Sequence, residues 1–288
     1  MKMDDYSRYK VNNKYYSGSE EKIGITINGI DYIVKFQKNT EIGLIDNHYS
    51  EFLGSHIFQM LGLNSQETFL GTYKKREAVI IRDFTTKDEQ FVPFNDIGDS
   101  TLEEDKERFH YSYADIMEML KMDRKLTSIE ETISIFWEMY LVDALIGNFD
   151  RHGGNWGFIK KNGKYSLAPI FDNGSSFFPR INSDKACKEI ISNQDEIKRR
   201  IFSFPTSQIR INNKKSSYYD VISSLKFPEC NKALKKLYPL VRFEEIDSFI
   251  NSISDWSAIR KDFYRTILKR RLEGLWKGPY EKLCLIKN

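Results

Sequence analysis

Cysteine is scarce in this chain and shows no pattern. The three residues Cys187, Cys230 and Cys284 are odd in number and lie far apart in 288 residues. They have neither zinc-ligand spacing nor the look of a disulfide framework, which excludes a stapled scaffold and fits a reducing cytoplasm. A dominant charge is missing too. Forty-four basic side chains against 41 acidic ones leave a formal +3, too little to argue for nucleic acid. No DNA-binding helix-turn-helix stands out, so any operator binding would need a partner. The clusters Lys198-Arg199-Arg200 and Lys269-Arg270-Arg271 read as solvated helix faces. No apolar run is long enough to span a bilayer. Met1-Lys2-Met3-Asp4-Asp5 leads into polar sequence, unlike a signal peptide. The expectations are no membrane, no direct nucleic-acid contact and a cytoplasmic location, with export lacking a classical signal as the alternative. Repeats and low-complexity segments are also lacking.

The length permits one large domain or two lobes around a buried core. Heavy use of Lys, Ile, Asn and Tyr is in keeping with an AT-rich bacterial genome. The first part is β-rich. Residues 22–27 and 31–36 are strand-like runs around Asn28-Gly29, a strong hairpin signal. A helix is expected from Asn47 to Leu61, with Leu53, Ile57, Met60 and Leu61 on its apolar face and Gly62 ending it. Residues 69–73 and 77–81 complete a small sheet. Asp83 to Asp99 reads as linker and exposed loop. Ser128 to Ile146 carries Ile129, Ile133, Phe136, Trp137, Tyr140, Leu141 and Leu145 at helical spacing and is expected to be a core helix. Residues 174–210 look polar and irregular. Residues 243–253 and 254–276 read as two amphipathic helices.

The core helix delivers the chain to Gly147-Asn148-Phe149-Asp150-Arg151-His152-Gly153-Gly154-Asn155, followed later by Pro169-Ile170-Phe171-Asp172-Asn173-Gly174. A carboxylate, an amide five residues on and a second carboxylate are the set that phosphoryl transfer by kinases needs. In the kinase loop H-R-D-x-x-x-x-N the Asp and Asn have the same spacing, although here His152 follows the Asp. Asp150 is the candidate base that takes or orients a hydroxyl proton. Asn155 and Asp172 are hard oxygen ligands suited to magnesium. His152 would either donate to a phosphate or pin the loop to a backbone group. Asn-x-Asp and Asn-Gly are also ordinary turn chemistry, but two such constellations framing one hairpin favour a metal site. Residues 165–171 read as the strand that aims Asp172 back at Asn155.

Lys35 shares a strand face with Ile33, while Tyr32, Val34 and Phe36 share the other. An inward lysine needs an anion. In kinases that residue contacts the α- and β-phosphates and pairs with a helix glutamate; Glu51 is the natural partner, although helix N-termini favour Glu for dipole reasons alone. Ile81-Arg82-Asp83-Phe84 is the expected hinge. Its backbone would bond adenine, and the side chains of Arg82, Asp83 and Phe84 would pack around it.

On these segments, and on Ser17-Gly18-Ser19-Glu20-Glu21-Lys22 and Tyr32-Ile33-Val34-Lys35-Phe36, the chain resembles HipA-like serine/threonine kinases over nearly its whole length. It is most like the compact CtkA-type members, which lack the extra N-terminal subdomain of full HipA toxins. One departure is Gly154, where HipA proteins commonly carry a phosphate-contacting Lys. The resemblance implies a bilobal α+β protein-kinase-like fold, with a small β-rich N-lobe (1–85) and a larger helical C-lobe (86–288). It implies ATP and Mg2+ as cofactors, a phosphate-covering loop with Ser17, Gly18, Ser19 and Lys22, and transfer to Ser or Thr of a protein substrate. Autophosphorylation at Ser17 or Ser19, and an antitoxin-like partner or a secreted-effector role, belong to the same family picture. The rival readings are a small-molecule or lipid kinase and a nucleotide-binding regulatory pseudokinase of a toxin–antitoxin pair.

Overall fold

The computed structural model describes residues 3–16, 18, 20–41, 43–97, 112–122, 126–212 and 214–285. The loop serines Ser17 and Ser19 therefore lie outside the described residues, as do Gly98 and Asp99 at the end of the expected linker. The elements follow a simple order. The short β1 (Asp4–Asp5) precedes the hairpin of β2 (Lys22–Ile27) and β3 (Ile30–Phe36). The minor ladder β4 (Asn39–Thr40) and β5 (Gly43–Leu44) leads into α1 (Asn47–Met60). Next come β6 (Thr68–Tyr73), β7 (Arg76–Arg82) and β8 (Gln90–Pro93). Helices α2 (Tyr113–Met122) and α3 (Ile129–Ile146) precede β9 (Gly157–Lys161) and β10 (Lys164–Leu167). Then follow α4 (Asp184–Ser192), α5 (Gln194–Phe202), β11 (Thr206–Ile211) and β12 (Lys214–Ser217). The chain finishes through α6 (Tyr218–Ser224), α7 (Pro228–Leu237), α8 (Phe243–Ser252), α9 (Ala258–Arg271), a π-helical segment (Leu272–Lys277) and α10 (Gly278–Leu285).

Among the described residues the N-terminal part forms a five-stranded sheet of order β1-β6-β7-β3-β2. Its central hairpin turns at Asn28 and Gly29, both at positive φ (51° and 80°). That is the primed turn whose twist matches paired strands, and Ile27 faces Ile30 across it. Lys74 and Lys75 make the equivalent β6–β7 turn at φ 51° and 64°, with no Asn-Gly to announce it. The sheet has two apolar faces. Val34 and Phe36 join Ile25, Tyr73, Ala78 and Ile80 on the outer one; Ile33 packs against the main core that also holds α1 and α3. The alternation expected for β3 is thus real, and it sends Lys35 inward.

Helix α3 is the axis of the helical part. Ser128 caps it by accepting from Glu131 N (3.3 Å), a capping-box pattern. From Phe136 to Ile146 every residue is buried, as expected for a helix enclosed on all sides. Gly147 ends it in the left-handed region (φ 71°), which a side chain would disfavour.

Three expectations need correction. Residues 174–210 are not irregular. Two nine-residue helices lie there, capped by Ser183 and by Asn193. Each buries only a narrow stripe, Cys187 and Ile190 in one and Ile197, Arg200 and Ile201 in the other, so their polar composition hides the period. The strand expected over 165–171 stops at Leu167. Ile170 bridges instead to Ser65. Within the expected linker, β8 pairs with β9 and ties that stretch to the helical part.

Candidate active site

The loop after α3 is held by its own side chains. Asn148, fully buried, donates Nδ2–H to Asp143 Oδ1 (3.0 Å) and accepts the Asp150 N–H on its Oδ1 (3.0 Å). Tyr218 Oη donates to Asn148 O (2.8 Å). Asn155 Nδ2 donates to Asp150 O (2.8 Å), so the expected catalytic and metal-binding residues share one hydrogen-bonded loop. Gln208 Nε2, on β11, donates to Phe149 O (2.7 Å) and reaches Asp150 Oδ1 at 3.5 Å.

Arg151 joins that loop to the second carboxylate. Its guanidinium is buried and pairs bidentately with Asp143 in α3: Nε to Oδ2 at 2.9 Å and Nη2 to Oδ1 at 3.0 Å. It also donates to Asn155 O (2.9 Å), to Asn173 Oδ1 (2.6 Å) and to Phe171 O. A buried arginine with every direction used is a geometric staple, since leaving one partner unpaired would be costly. Here it clamps residues on both sides of Asp172, whose own backbone sits at φ 57°.

Helix α1 supplies the opposite wall. Lys35 Nζ lies 3.1 Å from Glu51 Oε2, 2.9 Å from Asp172 Oδ1 and 2.6 Å from Glu20 Oε2. Glu51 is completely buried and also accepts from Asn173 N (2.7 Å) and from Gln66 Nε2. Helix and loop approach closely at Gly54, where a Cβ would stand 2.7 Å from Asn173 Cβ.

The electrostatics follow from this crowding. Burial alone would lower the Lys35 pKa, but the carboxylates of Asp172, Glu51 and Glu20 hold it well above the ordinary lysine value. Burial pushes Glu51 up against the pull of Lys35. Desolvation would raise the pKa of the partly buried Asp172, yet Lys35 and then Arg151 draw it below the usual carboxylate range. Asp150 goes the other way. Burial raises its pKa, His152 opposes, and Asp172 adds to the rise.

His152 uses Nδ1 to accept the Gly154 N–H (3.0 Å). A side chain on Gly154 would strike the imidazole, with a Cβ 2.9 Å from Cε1. This is the loop-pinning arrangement, with the histidine taking up space beside residue 154. Lys22 lies under Gly18: a Cβ there would stand 2.7 Å from its Nζ. Burial, then the charge of Lys35, lowers the Lys22 pKa. In the expected hinge, the Arg82 and Asp83 N–H groups are given to Glu67 O (2.9 Å) and Asp31 O (3.0 Å). The Arg82 side chain pairs with Glu67, and Asp83 takes Lys14, Tyr16 and Thr85. Phe84 packs with Phe91 and Phe171, centroids 6.0 and 5.8 Å away, in an aromatic cluster next to Asp172.

Asp143, Asn148, Arg151, Asn173, Gln208 and the direct role of Glu20 were not legible as site residues. An arginine beside a catalytic aspartate was the available signal; the others depend on which distant segments meet. Among the described residues no group of three or more His, Cys, Asp or Glu could hold a metal ion. Asn155 Oδ1, left over once its Nδ2 is spent, and the Asp172 carboxylate are two hard oxygens. Such a pair fits magnesium that completes its shell with phosphate oxygens and water.

A family model described as HipA-like C-terminal domain matches residues 15–241. The serine/threonine-protein kinase CtkA of Helicobacter pylori is 34% identical over 276 residues, spanning 93% of this chain and 84% of that protein. The crystal structure of a Helicobacter pylori proinflammatory kinase CtkA superposes with a TM-score of 0.88 at 32% identity, covering 98% of each chain. The HipA, HipB and operator DNA complex of Shewanella oneidensis MR-1 contains a chain matching at TM-score 0.61 and 16% identity, over 96% of this chain and 68% of that one; this likeness speaks for the fold alone. The fold is therefore the bilobal, protein-kinase-like α+β arrangement, with a small β-rich part and a larger helical one. With most of its length matched by the family model and a relative one-third identical across nearly all of it, the chain belongs to the family of HipA-like C-terminal domains.

Proposed function

We propose that this chain is a serine/threonine-protein kinase that moves the γ-phosphate of ATP, with magnesium, to a protein hydroxyl. The observation that carries the reading is the convergence of Lys35, Glu51 and Asp172 on one side of the site and of Asp150 and Asn155 on the other, clamped together by Arg151. In this reading the acceptor oxygen attacks the γ-phosphorus, the bond to ADP breaks, and Asp150 orients the hydroxyl and takes its proton. A raised Asp150 pKa suits a base. Asn155 and Asp172 would hold magnesium, which would supply charge neutralisation on the phosphates. Lys35, oriented by Glu51, takes the α/β-phosphates, with Gly18 and Lys22 of the covering loop beside it. The Phe84–Phe91–Phe171 cluster after β7 would receive the base, while the Arg82 and Asp83 N–H groups stay with the strands beside them. His152 steadies the loop through Gly154.

We place the lobe boundary at 85/86, because β7 ends at Arg82 while β8 pairs with β9. A cytoplasmic setting fits the free thiols, two buried and Cys284 exposed. No helix of the described residues is long and apolar enough to cross a membrane. An antitoxin-like partner is the regulatory side of the same proposal.

Mass spectrometry after incubation with Mg-ATP, first alone and then with cell lysate, tests the reading. New phosphoserine or phosphothreonine is expected in lysate proteins, and mapping of Ser17 and Ser19 reads self-modification. Asp150→Asn should stop or greatly slow transfer while leaving Mg-ATP affinity within a few-fold; Asp172→Asn should weaken Mg-ATP binding and stop transfer. Transfer to lipids or sugars instead, or ATP binding with no transfer, would favour the rival readings.

A further inference from the structure

Lys35 carries one positive charge and meets three carboxylates within 3.1 Å. Two of them are held by hydrogen-bonded frames around them. Glu51 is completely buried and anchored by Asn173 N; Asp172 is fixed by the Arg151 clamp on either side of it. The third, Glu20, differs. It comes from the segment between Gly18 and Lys22, and beyond Lys35 it reaches the half-exposed Lys38 at a long 3.9 Å. It is thus the least anchored of the three, yet it makes the shortest contact. Lys35 does not need it for neutralisation, because Glu51 and Asp172 already exceed its charge. Glu20 sets its Oε2 against the ammonium, where a phosphate oxygen would approach.

We infer that Glu20 is a specificity-determining residue of the nucleotide site: its carboxylate occupies the phosphate position on Lys35 and must be displaced by an incoming polyphosphate. The inference rests on the nucleotide reading above and deepens it. A tethered group competes at an effective concentration on the order of millimolar. Small anions at lower concentration therefore lose to it. A magnesium-bound triphosphate wins because it adds contacts through the metal, further phosphates and the base. The same carboxylate, facing phosphate oxygens of like charge, leaves once they arrive. If Lys35 is free of Glu20 in about one molecule in ten, the apparent affinity for phosphate ligands is lowered about tenfold.

The test is calorimetry of the full chain and of Glu20→Gln, which keeps shape and removes charge, with Mg-ATP, magnesium pyrophosphate and adenosine. The expected result is about tenfold tighter Mg-ATP and pyrophosphate binding in Glu20→Gln, with adenosine unchanged. Glu20→Ala should behave in the same way, which guards against a folding defect peculiar to one variant. Equal or weaker Mg-ATP binding in the variants, or tightening that extends equally to adenosine, overturns the inference. If wild type and variants all fail to bind Mg-ATP, the nucleotide reading itself fails, and the inference with it.

Discussion

Arg151 shows how one side chain can decide a site. It sits beside Asp150 in sequence but serves the loop from below, pairing with Asp143 and bonding both Asn155 and Asn173. Arg151→Met would leave the Asp143 carboxylate buried without its cation. Breaking a buried pair in this way typically costs about 3–5 kcal/mol. Urea denaturation should show a loss of that order, and Mg-ATP affinity should fall as well, since Asn155 and the segment around Asp172 lose their common support. Gln208 acts more locally. It holds Phe149 O and approaches the Asp150 carboxylate from β11. Gln208→Ala is expected to lower kcat about tenfold, within the usual contribution of a positioned base, with little change in Mg-ATP affinity. In an Asp150→Asn background it should add no further loss, because residues acting as one unit are not additive. Full additivity in that cycle would reduce Gln208 to a scaffold residue.

Between elements, one acid of the sheet anchors the start of α1. Glu77 on β7 meets His48 Nε2 (3.0 Å) and accepts from Tyr49 Oη (2.9 Å), both in the first turn of the helix that carries Glu51. The His48 bond holds the Glu77 pKa below its ordinary 4.5, against burial and with help from Tyr49. A lowered carboxylate pKa stabilises the fold above the ordinary value, and the benefit disappears as pH falls through the lower folded one. Glu77→Gln should therefore destabilise at neutral pH by on the order of 0.5–1 kcal/mol, a small figure because the side chain is partly solvent-screened. The gap to wild type should close below about pH 4. A gap that stays constant across that range would mean that the bond's geometry, and not its charge, is what matters.

Across the whole molecule, the β-rich part brings Lys35 and Glu51 while the loops of the helical part bring Asp150, Asn155 and Asp172. Two protein oxygens are too few to hold magnesium firmly without phosphate. ATP and magnesium should accordingly bind together, each strengthening the other, as linkage requires. Calorimetry with and without the metal reads this; equal ATP affinity in a chelator would remove Asn155 and Asp172 from the metal site.

Much of this was legible locally. The Asn28-Gly29 hairpin, the spans of α1 and α3 and the inward Lys35 all follow from period and turn signals, which act between neighbours in the chain. The Asp150–Asn155 spacing is equally local, and so is the candidacy of Asp172. The two short helices over 184–202 escaped because a stripe of two or three buried residues is too thin a signal in so polar a stretch. The two strands that flank Lys74 and Lys75 were expected, but not the positive φ of that turn, which the strands impose against preference. What only the tertiary structure decided is who else meets whom: Arg151 reaching back eight residues to Asp143 and forward to Asn173, Glu51 holding Asn173 besides its expected partner Lys35, Glu20 and Asp172 lying on Lys35, and β11 returning under the catalytic loop. Those contacts join segments up to 137 residues apart, as in the Lys35–Asp172 pair. Propensity and spacing carry no information about such pairs, because their geometry is set by how the sheet, α1 and α3 pack around a common core.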